Sequence, residues 1–252
     1  MYVGTLILYS QLNNMKIEIH KSESRGHADH GWLNTHHSFS FASWYNPERM
    51  HFGMLRVLND DIVAGGKGFG THPHENMEII SIPLSGDLEH KDSMGTTSVI
   101  RENDIQVMSA GTGVLHSEYN PNTDKEVNFL QIWIFPKVKN IAPRYDQKSY
   151  DPKDSAGKIL RLVSPMEDTS DTVKINQDAY ISLTTMEGES KLDYVLNKLG
   201  SGVYAFVLEG ETEVAGNTLK EKDAAAISDA NSFSLKTKAH TKILFIEVPM
   251  TR

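Results

Sequence analysis

Leu84-Ser85-Gly86-Asp87-Leu88-Glu89, in the first half of the chain, has a counterpart in Leu208-Glu209-Gly210-Glu211-Thr212-Glu213 in the second. Asn103-Asp104 is echoed in the same way by Lys222-Asp223. Each copy is a short run interrupted by glycine or a polar turn and followed at once by another run, which is how strands are joined by tight turns. Outward from these two points, runs rich in β-branched and aromatic residues recur along the whole chain: Met54 to Leu58, Ile79 to Leu84, Ile105 to Met108, Phe129 to Phe135, Lys158 to Val163, Val203 to Leu208 and Ile243 to Val248. No amphipathic helical pattern separates them. The expected fold class is therefore all-β, with two tandem antiparallel β-barrels as versions of one repeated unit.

With 252 residues the chain is long enough for two such units, each with a core of its own. The segment from Pro136 to Gly157 is polar, has prolines at 136, 143 and 152 and lacks apolar periodicity, so it reads as a linker. The expected division is an extension over 1–14, a first domain over 15–136, a linker over 137–157 and a second domain over 158–252. Within the extension, Val3 to Tyr9 is apolar but too short to span a bilayer, and it lacks the basic leader of a signal peptide. It is expected to be an extra strand or tail. Lys16-Ile17-Glu18-Ile19 alternates as a strand does and marks the start of the first unit.

A formal net charge of -8, with no cluster of Lys or Arg, argues against nucleic acid as a partner, because phosphate binding needs concentrated positive charge. No membrane contact is expected. The chain has no cysteine, so neither disulfides nor thiolate metal sites are available, and a metal would need nitrogen and oxygen ligands. Such usage fits the cytoplasm. Gly66-Lys67-Gly68-Phe69-Gly70 does not match a nucleotide-binding loop, and there is no Gly-x-Ser-x-Gly elbow for a serine hydrolase.

Two histidine clusters carry the chemistry: His72-Pro73-His74, with Glu78 just beyond, and His116-Ser117-Glu118. Side chains two residues apart on a strand share a face, so His72 and His74 point together, as do His116 and Glu118. Two such strands side by side would gather three imidazoles and a carboxylate, a set that suits a divalent ion and leaves coordination positions open. A closed structural zinc site would more typically use cysteines. Histidines flanking a proline also arise in ordinary loops. Here the glycines at 66, 68, 70, 86, 111 and 113 supply turns where a barrel needs them. Glu118 is favoured as the carboxylate ligand, since it lies two residues from His116. Glu78 lies four residues, or ~13 Å of extended chain, beyond His74, and is expected to be a hydrogen-bond partner that orients an imidazole.

No equivalent site is expected in the second half. Aligning Gly86 with Gly210 places Leu196 and Lys198 at the positions of His72 and His74; aligning Asp104 with Asp223 places Leu235 and Thr237 at those of His116 and Glu118. His240 is the only histidine there. His27, His30, His36 and His37 read as hydrogen-bonding residues of a structured loop, His51 and His90 as surface or hydrogen-bonded residues, and Trp32, Phe39, Phe41, Trp44 and Tyr45 as packing residues.

Beyond the ligand clusters, Gly86, Asp104-Ile105-Gln106, Met108-Ser109-Ala110-Gly111-Thr112-Gly113 and Leu130-Gln131-Ile132-Trp133-Ile134 resemble the pirin family of the cupin superfamily. Arg25-Gly26-His27, His30-Gly31-Trp32, Ser38-Phe39-Ser40-Phe41 and Leu55-Arg56-Val57-Leu58-Asn59-Asp60 extend the likeness, which is dense from about residue 16 to 150. Within the family the chain is most similar to the bacterial pirin-like quercetin 2,3-dioxygenases. The general cupin pattern has glycine at Asn103 and proline at Ser109, two departures that touch no ligand. The resemblance implies a bicupin of jelly-roll-like domains, the second without metal. It also implies one metal ion, most often Fe(II), held by the positions of His72, His74, His116 and Glu118; nickel, copper, manganese and zinc also suit these donors.

The activity so implied is cleavage of a flavonol such as quercetin by dioxygen with release of carbon monoxide. A hydroxyl of the aromatic enol would be acidified next to the cation, and Glu118 would accept its proton. The alternative is a non-catalytic iron protein that senses redox state and binds a protein partner, since a fold does not dictate a function.

Overall fold

The structure, a computed structural model, describes residues 15–251, and the extension expected over 1–14 lies outside them. The strands of the first part of the chain are β1 (Lys16–His20), β2 (Gly26–Asp29), β3 (Leu33–His37), β4 (Leu55–Val63), β5 (Gly68–His74), β6 (Glu78–Ser85), β7 (Asp87–Asp92), β8 (Thr97–Arg101), β9 (Asp104–Ser109), β10 (Val114–Tyr119) and β11 (Val127–Ile134). A second series repeats them: β12 (Arg144–Ser149), β13 (Leu160–Pro165), β14 (Val173–Ile175), β15 (Tyr180–Met186), β16 (Ser190–Val195), β17 (Ser201–Glu209), β18 (Glu211–Val214), β19 (Asn217–Lys220), β20 (Ala224–Ser228), β21 (Ser232–Thr237) and β22 (Thr241–Pro249). Among the described residues two short 3-10 turns accompany them, one after β1 and one after β12. Among the described residues no helix is long and apolar enough to cross a membrane.

The strands form four sheets. In the first half a seven-stranded sheet, β12-β9-β6-β11-β4-β3-β2, faces a four-stranded one, β5-β10-β7-β8; in the second, β1-β20-β17-β22-β15-β13-β14 faces β16-β21-β18-β19. The sheets are open rather than closed barrels, which corrects that part of the expectation, and the arrangement is jelly-roll-like. All named pairings are antiparallel except β13 with β14. The repeat that the sequence suggested is visible at its two turns. Gly86 and Gly210 have φ of 76° and 80°, and Asn103 and Lys222 have φ of 68° and 65°. Asp104 and Asp223 each accept a bond from the backbone N–H three residues earlier, at 2.9 and 3.0 Å.

The segment expected to be a linker holds β12, whose six residues pair with β9 from Arg144 opposite Ser109 to Ser149 opposite Asp104. Strand β1 pairs with β20 of the other half. The lead-in strand of each series is thus an edge strand of the other's sheet. The alternating polar sequence Arg144-Tyr145-Asp146-Gln147-Lys148-Ser149 carries no apolar period, because an edge strand buries little of itself.

Alternation on β11 sets out the layers. Phe129 packs with Leu88 and Ile100 of the four-stranded sheet, while Leu130, Ile132 and Ile134 pack with Leu244 and Ile246 of the second half. That second cluster, drawn from both seven-stranded sheets, joins the halves back to back. Each fully buried Leu, Ile or Phe contributes roughly 1.5–3 kcal/mol relative to exposure, so this shared core fixes one half on the other. Phe39 lies within it, whereas Tyr45 is 71% exposed at the surface.

Candidate metal centre

Strands β5 and β10 lie side by side, with His72 directly opposite His116 and His74 opposite Val114. His72 and His74 share a face, with Pro73 exposed between them. The rings of His72 and His116 are 4.4 Å apart by centroid, and those of His74 lie 4.9 Å from both. One nitrogen from each of the three falls within 4.8 Å of the others. The β5–β10 register shifts between His116 and Glu118, yet both point inward and are buried. A second trio, His90, His116 and Glu118, meets the same distance limit; the two trios share His116, and among the described residues no group joins all four expected ligands. The structure thus gathers the three imidazoles and sets Glu118 beside His116.

The electrostatics keep these groups ready to accept a cation. Burial, reinforced by the neighbouring imidazoles, pulls His116 down to about 2, and burial with His72 pulls His74 down to about 4, so both rings are neutral and hold a free lone pair at physiological pH. His72 Nδ1–H donates to the Gly70 carbonyl at 2.8 Å, which leaves its Nε2 as the free nitrogen. Both ring nitrogens of His116 are buried and without a hydrogen-bond partner. Glu118 is fully buried, and burial pushes its carboxyl up to about 7. Its two oxygens are held by Ser81 Oγ at 3.0 Å and Gln131 Nε2 at 2.7 Å.

Glu78 does not orient an imidazole. It opens β6 after a turn at Asn76, whose φ is 48°, so the parity shared with His74 on paper is broken. Its carboxylate turns toward the other half and accepts from Ser109 Oγ at 2.7 Å and the backbone N–H of Asn176 at 3.1 Å. Ser109, one of the two departures from the cupin pattern, thereby uses the hydroxyl that proline would lack. His90 is not a surface residue: it is fully buried, and its Nε2 donates to Asp92 at 3.0 Å. Of the other histidine cluster, His27, His36 and His37 lie on strands and His30 in the connection between them, with the rings of His27 and His36 stacked 4.5 Å apart and His37 Nδ1 donating to Asn59 at 3.0 Å.

A cavity of about 450 Å³ opens over His72, His74 and Glu118. Its walls are the rings of Trp32, Phe41, Phe69 and Trp133, with Asn59, Asp61 and Gln131 as polar points. Trp32 and Phe41, expected as packing residues with a substrate contact left open, line it, and Trp133 meets His74 edge-on at 4.9 Å. Asn59 and Asp61 were not anticipated as cavity residues. Their parity on β4 matched, but nothing in the sequence says which face of that doubly covered strand looks into a hollow.

Residues 18–134 match the family model described as Pirin, and residues 161–248 match that of the quercetinase C-terminal cupin domain. A quercetin 2,3-dioxygenase of Escherichia coli K12 is 38% identical over 234 residues, which cover 92% of this chain and 99% of that protein. The chain belongs to the pirin family. Among solved structures, YhhW from Escherichia coli superposes with a TM-score of 0.88 at 35% identity, covering 94% of this chain and 100% of that one. A structure of the bacterial pirin YhhW in complex with nickel(II) gives 0.87, covering 93% and 99%.

The pirin fold is a bicupin, and its two halves can be compared strand by strand. Sheet order matches β5 to β16 and β10 to β21. In β21, Leu235 pairs with Leu192 and Phe233 with Tyr194, as His116 pairs with His72 and Val114 with His74. Leu192 and Tyr194 therefore stand where Leu196 and Lys198 were expected; the loop lengths between Gly210 and β16 put the alignment four residues out. Three converging imidazoles, one of them the buried His116 with both nitrogens unpartnered, fit a divalent ion in the first half, and no such set exists among the described residues of the second.

Proposed function

We propose that this pirin-family protein is a metal-dependent dioxygenase of flavonols, with quercetin as the model substrate, and that His72, His74, His116 and Glu118 hold one divalent ion, Fe(II) being the expected one. The observation that carries the reading is the convergence of three imidazoles, the half-buried His72 and His74 and the buried His116, which is unpartnered at both nitrogens, beside an aromatic-walled cavity. The likeness to the quercetin 2,3-dioxygenase of Escherichia coli supports the same class of substrate. When bound, the ion supplies Lewis acidity that favours the ionised form of a substrate hydroxyl.

The chain's own residues do the rest. The rings of Trp32, Phe41, Phe69 and Trp133 form apolar walls between which a flat polyphenol fits, and they exclude water from the reacting face. Glu118, poised near neutrality, takes the proton of the hydroxyl that binds beside it, while Ser81 and Gln131 keep its oxygens from swinging away. Dioxygen is the second substrate. The half formed mainly by the second series of strands is proposed as a metal-free scaffold, and the protein as cytoplasmic.

The test is oxygen uptake with headspace carbon monoxide analysis on protein loaded anaerobically with iron or nickel, over a panel of flavonols. The expected outcome is equimolar oxygen loss and carbon monoxide release, reduced at least ~100-fold in Glu118→Ala or His74→Ala. Loaded protein that consumes no oxygen with any flavonol would overturn the reading.

A further inference from the structure

An imidazole that ligates a metal through one nitrogen has a proton on the other, and that N–H needs an acceptor to hold the ring in place. For His72 the Gly70 carbonyl performs this service. Around His116 neither a carbonyl nor a carboxylate does so, although the residue is only 1% exposed. One other imidazole nearby has an unpartnered buried nitrogen. His90, on the adjacent strand β7, has its ring centroid 5.3 Å from that of His116, and its Nδ1 has no partner.

The tautomer of His90 is set by its surroundings. Its Nε2 faces Asp92 Oδ2 at 3.0 Å, and a carboxylate only accepts, so Nε2 carries the proton and Nδ1 carries a lone pair. Asp92 is itself fixed, because its other oxygen accepts the backbone N–H groups of Met94 and Thr96 at 2.9 and 3.0 Å. Both side chains of the pair are fully buried. A buried acceptor without a donor and a buried donor without an acceptor thus lie on neighbouring rings whose centroids are 5.3 Å apart, each costing about 1–3 kcal/mol while unpaired.

We propose that His90 is the positioning residue of the metal centre: its Nδ1 accepts the distal N–H of His116, and Asp92 fixes its tautomer, so that Asp92, His90 and His116 form one hydrogen-bonded line ending at the ion. The proposal rests on the reading of His116 as a ligand, but not on any substrate. It gives His90 the part that the sequence had suggested for Glu78. A ring held from behind binds an ion more tightly and donates more electron density to it.

Asp92→Asn is the sharpest probe. The asparagine oxygen can keep the bonds to Met94 and Thr96, while its amide donates to His90 Nε2 and forces the proton onto Nδ1, so that His90 presents a donor where an acceptor is required. His90→Leu removes the acceptor, and His90→Gln restores one through its side-chain carbonyl. The measurements are nickel(II) affinity by chelator competition, the ligand-field spectrum of the cobalt(II)-loaded protein, and the melting temperature of the metal-free protein. The expected result is a ~10- to 100-fold loss of nickel affinity and a shifted cobalt spectrum in Asp92→Asn and His90→Leu, partial recovery in His90→Gln, and an unchanged metal-free melting temperature in Asp92→Asn. If His90→Leu does not fold, Asp92→Asn decides alone. Unchanged affinity and spectrum in Asp92→Asn would overturn the line of bonds, as would X-ray absorption showing that His90→Gln loses one nitrogen ligand, since His90 would then be a ligand itself. Wild-type protein that binds no nickel would defeat the site reading as well, so the two failures are distinguishable.

Discussion

The two halves of this bicupin run the same strands in the same sheet order, yet one encloses a polar hollow and the other a packed interior. In the first, Ser81 pairs with Gln106 and with Gln131 across the seven-stranded sheet; the matching residues of the second are Ala205, Ala225 and Phe245. Where His74 reaches toward the proposed ion, Tyr194 instead stacks on Phe233 at 5.2 Å and meets Phe245 at 4.7 Å. Its hydroxyl donates to Glu247 at 3.0 Å, and that carboxylate also accepts from Asn197 and the Lys198 backbone, so its bonds are complete. In the first half the polar atoms are left wanting: both nitrogens of His116, Nδ1 of His90, Trp133 Nε1 and the amide of Gln106 lack partners. Among the described residues the second copy leaves only the buried Ser182 and Ser201 hydroxyls unpartnered, whereas the first is proposed to be completed by the ion it binds.

The largest expected effect tests the satisfied copy. Phe245→Ala removes a fully buried ring against which Tyr194 packs, and it should lower the stability of the protein by about 3–5 kcal/mol in urea denaturation, with the nickel affinity of the folded protein unchanged. A loss of metal affinity in step with stability would show that the second half does more than support the first.

A smaller effect of opposite sign is expected from the unsatisfied copy. Glu118 titrates at about 7 in the fold against an ordinary 4.5, so as pH rises the unfolded chain gives up its proton first. The metal-free fold is therefore penalised progressively from pH 4.5 to 7 and bears the full penalty above that, on the order of 3 kcal/mol. Glu118→Gln removes it, and the Gln131 amide can turn to keep Ser81 and residue 118 bonded. Metal-free Glu118→Gln protein should be the more stable of the two at pH 8 and equal to the parent at pH 4. The histidines act on the other side: unfolded imidazoles bind protons below about 6.5 whereas His74 and His116 do not, so metal-free parent protein should lose stability as the pH falls through that value. Equal stability of parent and variant at both pH values would mean that Glu118 is not desolvated as the structure has it.

What the sequence disclosed and what it withheld follow from the range of the forces involved. Parity along a strand is local, so the pairs His72 with His74 and His116 with Glu118 were legible, and so was the repeat around Gly86 and Gly210. Glu78 was misread because three turn residues separate it from His74 and reset the parity. His90 was passed over because its nearness to His116 comes from strand pairing, with β7 lying beside β10, and not from spacing. The exchange of β1 and β12 was equally hidden, since nothing in Lys16–His20 says which of two similar sheets it will extend. The departure at Asn103 is explained by the backbone: asparagine tolerates the left-handed conformation that glycine usually fills.

The smallest effect compares the repeat with itself. Gly86 and Gly210 both have left-handed backbones, where a side chain costs roughly 1–2 kcal/mol whatever the space around it. Their surroundings differ by a few tenths of an ångström. A Cβ at Gly86 would lie 2.7 Å from the Glu126 carbonyl oxygen, and one at Gly210 would lie 2.1 Å from that of His240. Both obstacles are backbone at the start of the matching strands β11 and β22, so neither can rotate away as a side chain could. Gly210→Ala should therefore destabilise the protein more than Gly86→Ala, the two differing by about 1 kcal/mol in urea denaturation of metal-free protein. Gly86 also fixes the turn that sends β7, and with it His90, beneath the proposed ion. Gly86→Ala should in consequence weaken nickel binding while Gly210→Ala leaves it unaltered, and the reverse order would mean that the hollow half takes its geometry from the packed one.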